Sequence, residues 1–183
     1  NHQQGSFIQT DGSLDLAING NGFFPAQAAD GTINYTRDGS LSMDNEGNII
    51  SSKGDKILSD NGTPLKIPFQ VRNEKDEIET LAEVKIEENG AINTLYSNGS
   101  TALIGNVGLA IFANETGLKE VGMNQYRPTP MSGAARIGRA GENNFGRIQS
   151  GALEASNTDA TAEMTKMIKA QQAFSGSSRM LQA

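Results

Sequence analysis

The side chains able to do chemistry are few in this sequence and poorly spaced for it. The chain has 183 residues with no Cys, no Trp and a single His, which excludes thiolate catalysis, disulfide scaffolding and Cys-based zinc sites. The one histidine, His2, stands at the very start of the sequence, a poor place for a fixed general base or metal ligand. What remains is chemistry built on carboxylates, Lys, Tyr and Ser. Gly20-Asn21-Gly22 begins like a dinucleotide fingerprint. The third glycine's position is Pro25, however, which has no N–H to offer a phosphate, and no helical pattern follows. Asp44-Asn45-Glu46-Gly47 and the run from Asp55 to Asp60-Asn61-Gly62 resemble pieces of calcium loops. Neither has the ligand spacing of an EF-hand, and turn chemistry accounts for both. Paired carboxylates of the kind that cleave glycosides leave a hydrolase as an alternative, without the Trp platform on which sugars commonly stack. The expectation is no enzyme, with no catalytic residue, no cofactor and no metal.

The elements that would position any such residues read as short strands. Asp-Gly or Asn-Gly pairs occur at 11, 19, 21, 30, 38, 61, 89 and 98, and none follows Gly99. Such pairs favour the positive dihedrals of tight hairpins. Between them apolar residues recur two apart, at Leu14, Leu16 and Ile18, at Ile33 and Tyr35, at Leu41 and Met43, and at Leu65 and Ile67. Ile78, Thr80, Ala82, Val84 and Ile86 alternate with charged residues except at Leu81, and Val107, Leu109 and Ile111 repeat the period. Residues 1–125 are therefore expected to form a mainly β, antiparallel domain with tight hairpins, cored by Leu16, Ile18, Phe23, Val84, Ile86, Leu109 and Ile111.

From 126 to 151 two prolines and five glycines interrupt any period, so this stretch is expected to be an extended connector packed on the β domain. Residues 152–183 change character again, with one Gly and no Pro. Ser156 or Asn157 can cap a helix there, and Asp159 falls in its first turn. Ala160, Met164, Met167, Gln171, Phe174, Ser178 and Leu181 then recur at alternating steps of four and three, a heptad seam. A helix with such a stripe must lay it on something, and nothing else in the chain reads as a long helix. Its partner is either the chain's own β unit or a helix outside this sequence.

Charge adds a second expectation. The net charge of −6 argues against nucleic acid and anionic membranes as partners. No apolar run approaches the roughly 18–20 residues of a membrane helix, and no leader resembles a cleaved signal peptide. Arg72 to Glu88 holds seven acids against three bases, whereas Lys119 to Arg147 holds five bases against two acids. One reading is an ordinary solvated face. The other is a heterologous contact in which the acidic face of one subunit meets Arg127, Arg136, Arg139 or Arg147 of the next, giving rings or open helices.

Four stretches together resemble a known family: Leu14–Phe24 (LDLAINGNGFF), Tyr35–Leu58 (YTRDGSLSMDNEGNIISSKGDKIL), Ile111–Gly133 (IFANETGLKEVGMNQYRPTPMSG) and Gly146–Leu181 (GRIQSGALEASNTDATAEMTKMIKAQQAFSGSSRML). They cover about half of the chain and are similar to the bacterial flagellar rod and hook proteins, the axial proteins of the basal body. The resemblance implies a structural subunit of the rod that self-assembles into a helical tube, transmits torque and passes exported subunits through its bore. It implies copies of itself, other flagellar axial proteins and the flagellar export apparatus as partners, and type III export to the basal body without a cleaved signal peptide. It further implies paired terminal helices on the inner wall, the N-terminal one preceding Asn1, with Met164, Met167, Ile168, Gln171, Phe174 and Leu181 packing in the tube core. Gln172 and Phe174 stand where the family often has Arg and Tyr. Hook proteins usually carry large inserted outer domains where this chain has only 63–108, a stretch that matches no familiar pattern, so the resemblance is closer to a rod protein than to a hook fragment. A secreted β-rich binding module is the remaining alternative.

Overall fold

A computed structural model describes residues 6–155. Within them the regular structure is antiparallel β, apart from one 3-10 turn at Glu115–Gly117. The largest sheet has seven short strands in the order Lys119–Glu120, Gln125–Arg127, Ile33–Thr36, Phe24–Gln27, Lys56–Ile57, Ile49–Ile50 and Ser42–Met43. A four-stranded sheet runs Thr101–Asn106, Ala91–Tyr96, Ile78–Ile86 and Gln70–Arg72. Three two-stranded ribbons join distant parts of the chain. Leu16–Asn19 pairs with Arg147–Ser150, Gly108–Ile111 with Arg136–Arg139, and Phe7–Gln9 with Ala152–Glu154.

The strands are short because turn residues punctuate them every few positions. Their stability comes from what they bury rather than from length. Leu16, Ile18 and Phe24 are fully buried, on the same core as Ile49, Ile57, Ile92 and Ile148. Full burial of such a side chain contributes about 1.5–3 kcal/mol against leaving it in water. A second cluster gathers Phe23, Tyr35, Ala110, Leu118 and Tyr126. Phe23 meets Phe112 and Tyr126 edge-on at centroid distances of 5.8 and 5.7 Å, the arrangement that ring quadrupoles favour. Consecutive residues Phe23 and Phe24 thus feed the two cores from opposite faces of one chain segment.

Several expectations are corrected. Of the seven proposed core residues six are buried, but Ile111 is only half-buried at the end of its strand. The alternation of Ile78–Ile86 breaks in the middle. Leu95 pairs with Glu83 and Tyr96 with Leu81, which leaves Ala82 as the extra residue of a β-bulge. The bulge turns the strand over. Leu81 joins Val84 and Ile86 against the core, while Ile78 is 54 % exposed. The Gly- and Pro-rich stretch over 126–151 is not laid over the domain but woven into it, since Arg136–Arg139 and Arg147–Ser150 each complete a ribbon and Ala140 and Ile148 are buried. Of the segment 152–183 expected to carry the helix, Ala152–Glu154 is a strand, and the caps expected at Ser156 or Asn157 lie outside the described residues. The heptad seam itself, with Met164, Met167, Ile168, Gln171, Phe174 and Leu181, lies outside the described residues.

Candidate functional site

The feature that organises the molecule is where its two ends leave the β body. Phe7–Gln9 and Ala152–Glu154 form a three-pair antiparallel ribbon, Phe7 opposite Glu154 and Gln9 opposite Ala152. The Ala155 N–H then donates to the Ser6 carbonyl at 2.7 Å, so the chain enters and exits side by side. At its root the ribbon is tied to the body through the Asp15 carbonyl, which accepts from the Gly151 N–H at 2.8 Å.

Arg37 lies against this ribbon. It occupies the turn Tyr35-Thr36-Arg37-Asp38-Gly39, which is held locally by the Thr36 hydroxyl accepting from the Asp38 N–H and the Asp38 carboxylate accepting from the Ser40 N–H. Gly39 closes the turn because its Cα touches the chain opposite: a Cβ there would stand 1.7 Å from the Leu16 carbonyl oxygen. The Arg37 guanidinium donates from Nε to Glu154 Oε1 at 2.8 Å, from Nη1 to the Gly20 and Gly22 carbonyls at 2.9 and 2.8 Å, and from Nη2 to the Ile18 carbonyl at 3.1 Å. The two side chains of the ion pair are 16 % and 6 % exposed. Gly20 and Gly22, at φ of 115° and 139°, turn their carbonyls inward. The Gly20-Asn21-Gly22 loop is thus a cage for a cation, the inverse of the N–H cradle that a phosphate needs.

Arg127, Arg136, Arg139 and Arg147 are all exposed. Arg139 pairs with Asp60 at 3.0 Å and Arg147 with Glu88 at 3.2 Å within the chain. Arg127 Nε donates to Asn34 Oδ1 at 2.7 Å, and the Arg136 guanidinium lies over the Phe145 ring at 5.6 Å. Glu87, Glu88 and Glu142 line an open groove with Arg139 and Arg147, where Glu88 pairs with Arg147. The calcium-like segment at Asp44 is a turn. Its carboxylate accepts from the Asn48 side chain and from the Glu46 and Asn48 N–H groups, and these bonds, the Asn48 amide foremost, hold its pKa below the ordinary 3.8. Among the described residues no group of three His, Asp or Glu is placed to hold a metal ion.

Sequence reasoning missed Arg37 and Glu154 as partners. Each sits inside a quoted stretch, but they are 117 residues apart, and no local period reports a contact of that range.

Comparison with known proteins bears on the same segments. A family profile described as the flagellar hook protein FlgE/F/G D1 domain matches residues 17–94, and one described as the flagellar basal body rod FlgEFG protein C-terminal matches residues 149–183. The first takes in much of the stretch 63–108 that showed no familiar pattern. The flagellar basal-body rod protein FlgG of Bacillus subtilis is 35 % identical over 181 residues, 98 % of this chain and 64 % of that protein. FlgG of Agrobacterium fabrum is 32 % identical over the same shares. The flagellar hook protein FlgE of Escherichia coli is 41 % identical over 101 residues, 55 % of this chain and 25 % of that protein. The chain therefore spans a little under two thirds of the length of the curated rod proteins it matches. Among solved structures, the Helicobacter pylori flagellar hook protein FlgE2 aligns with a TM-score of 0.38 at 18 % identity, covering 67 % of this chain and 38 % of that one.

Proposed function

Because the chain belongs to the flagellar rod and hook protein family, we propose that it is a structural subunit of the bacterial flagellar basal-body rod, not an enzyme, and that it acts by assembling into a helical tube that transmits torque and passes exported subunits. The observation that carries this reading is the ribbon of Phe7–Gln9 with Ala152–Glu154, which delivers both chain ends from the β body at one place. Two segments that leave side by side are positioned to pair, and pairing would supply a mate for the helix stripe, since no other stretch of the sequence reads as a long helix. In this reading the β body of 6–155 faces outward. Residues after Ala155 form the C-terminal helix, and Met164, Met167, Ile168, Phe174 and Leu181 pack in the tube core with polar Gln171 setting register.

Its partners are copies of itself, neighbouring flagellar axial proteins and the export apparatus, and its place is the basal body. The full coverage by rod proteins supports a rod rather than a hook subunit, since the hook protein FlgE matches over only 55 % of the chain. A lateral contact between the acidic face of Arg72–Glu88 and the arginines of the next subunit rests chiefly on Arg127 and Arg136, because Arg139 and Arg147 already have carboxylate partners within the chain. Reversing Arg127 and Arg136 to Glu is expected to weaken assembly, and assembly at the parental level would remove that contact. Replacing Met167 and Phe174 together by Asp in the complete protein is expected to abolish motility while leaving the β body folded. Parental motility in that variant would overturn the assembly role of the seam.

A further inference from the structure

The ribbon that carries both chain ends is too small to hold its own direction. A two-stranded antiparallel pair is marginal in water even when longer than this one. Among the described residues its own backbone hydrogen bonds to the body converge on the Asp15 carbonyl, which accepts from Gly151 at 2.8 Å and from Ala152 at 3.4 Å, just past the Ser150–Leu16 pair. Ala152 and Ala155 add buried methyl groups, which fill space but resist rotation weakly. A strip fixed at one point is a hinge. A second point removes the swing, and the second point is Glu154, two residues further along, held by Arg37 at 2.8 Å.

We infer that Arg37 is a positioning residue that fixes the angle at which the terminal segments leave the β body, by locking Glu154 of the exit strand to the carbonyl cage of Ile18, Gly20 and Gly22. The guanidinium suits this because its donors lie in one rigid plane. Here that plane takes up a carboxylate from the exit strand and three carbonyls from the body at once. An ammonium has three donors radiating from a single nitrogen and cannot reach the same four acceptors in one plane. The pair is also withdrawn from water, so salt screens it less than the exposed pairs elsewhere on the surface. The cage explains the spacing of two glycines in Gly20-Asn21-Gly22: both carbonyls turn toward one nitrogen, which needs backbone in the left-handed half of the map twice within three residues. The clamp is formed by contacts within one chain and needs no assembly. Its consequence, a fixed tilt between the outer body and the tube wall, rests on the rod reading.

The absence of Cys allows labels to be placed at will. Spin labels at Ser6→Cys and Ala29→Cys span ribbon and body, and a pair at Ala29→Cys and Lys85→Cys spans the body alone; all three positions are exposed. Pulsed electron resonance on the parent chain is expected to give a single narrow distance for each pair. Arg37→Lys is expected to lose the narrow ribbon-to-body distance while the body pair stays narrow. Glu154→Gln, which keeps an acceptor for Nε–H but removes the charge, is expected to give a smaller broadening. A narrow ribbon-to-body distance in both variants overturns the clamp, as does equal broadening of both pairs, which would make Arg37 merely part of the body's stability. Motility of a strain carrying Arg37→Lys separates the two ideas. Lost distance order with parental motility counts against the rod reading's need for a fixed tilt, whereas retained distance order counts against the clamp whatever the motility.

Discussion

The junction around Arg37 and the four-stranded sheet of 70–106 solve opposite problems with the same antiparallel pairing. At the junction charges are drawn inward: Arg37 and Glu154 are mostly buried and each guanidinium nitrogen is matched to an oxygen. On the sheet charges are turned outward. Arg72 and Asp76 pair at 3.4 Å with side chains 60 % and 85 % exposed, and Ile78 opposite Arg72 and Leu103 on the far edge strand are more than half exposed. Ion pairs of the second kind contribute about 0–1 kcal/mol. Breaking one of the first kind costs about 3–5 kcal/mol, because it strands a buried charge. Where geometry must be fixed this protein spends burial, and where it needs only a soluble surface it does not.

Substitutions along that contrast should fall in order of size. Gly39→Ala is expected to be the most damaging, because the added methyl meets the Leu16 carbonyl oxygen at 1.7 Å and neither backbone can yield without breaking the Leu16 N–H bond to the Gly39 carbonyl. Failure to fold, or a large loss in urea midpoint, is the expected result. Phe24→Ala, at a fully buried ring of the larger core, is expected to cost about 3–5 kcal/mol in equilibrium unfolding. Arg37→Ala should approach that value. Arg72→Ala or Leu103→Ser on the sheet should move stability by no more than about 0.5–1 kcal/mol. Equal effects from Arg37→Ala and Arg72→Ala would erase the distinction between the two regions.

A smaller effect is expected with pH. Asp44 and Asp30 are held below the ordinary 3.8 by hydrogen bonds from Asn48 and Thr32. A carboxylate whose folded pKa is depressed adds stability above its unfolded pKa and loses it as pH falls through the folded value. Acid titration followed by circular dichroism should show stability declining below about pH 4, with the decline reduced in Asp44→Asn. Both groups are open to solvent, so the change should be modest.

How much of this was legible depended on range. The turns were local and readable: Asp30-Gly31, Asn61-Gly62, Asn89-Gly90 and Asn98-Gly99 all place glycine at positive φ between 85° and 92°. Asp38-Gly39 belonged to the same set of dipeptides but serves a close approach instead. Period two located the buried residues Leu16, Ile18, Val84 and Ile86, yet it misplaced Ile78, because a one-residue bulge at Ala82 inverts every side chain beyond it and leaves no mark in the composition. The strands within 126–151 were unreadable for another reason. Each has four residues at most, interrupted or flanked by Gly, and its partner is far upstream, as Ile148 is to Ile18. The four family-like stretches marked the right segments, and only the folded chain brings Arg37 from one of them to Glu154 of another.

The central claim is that assembly depends on paired segments leaving the body beside one another. Sedimentation tests it most directly, comparing the complete protein with the β body of residues 6–155 alone, each checked for its folded state. The account predicts that the complete protein forms large assemblies while the body stays a folded monomer, and that Met167→Asp with Phe174→Asp brings the complete protein down to the body's behaviour. Assemblies of the same size from the isolated body would contradict it.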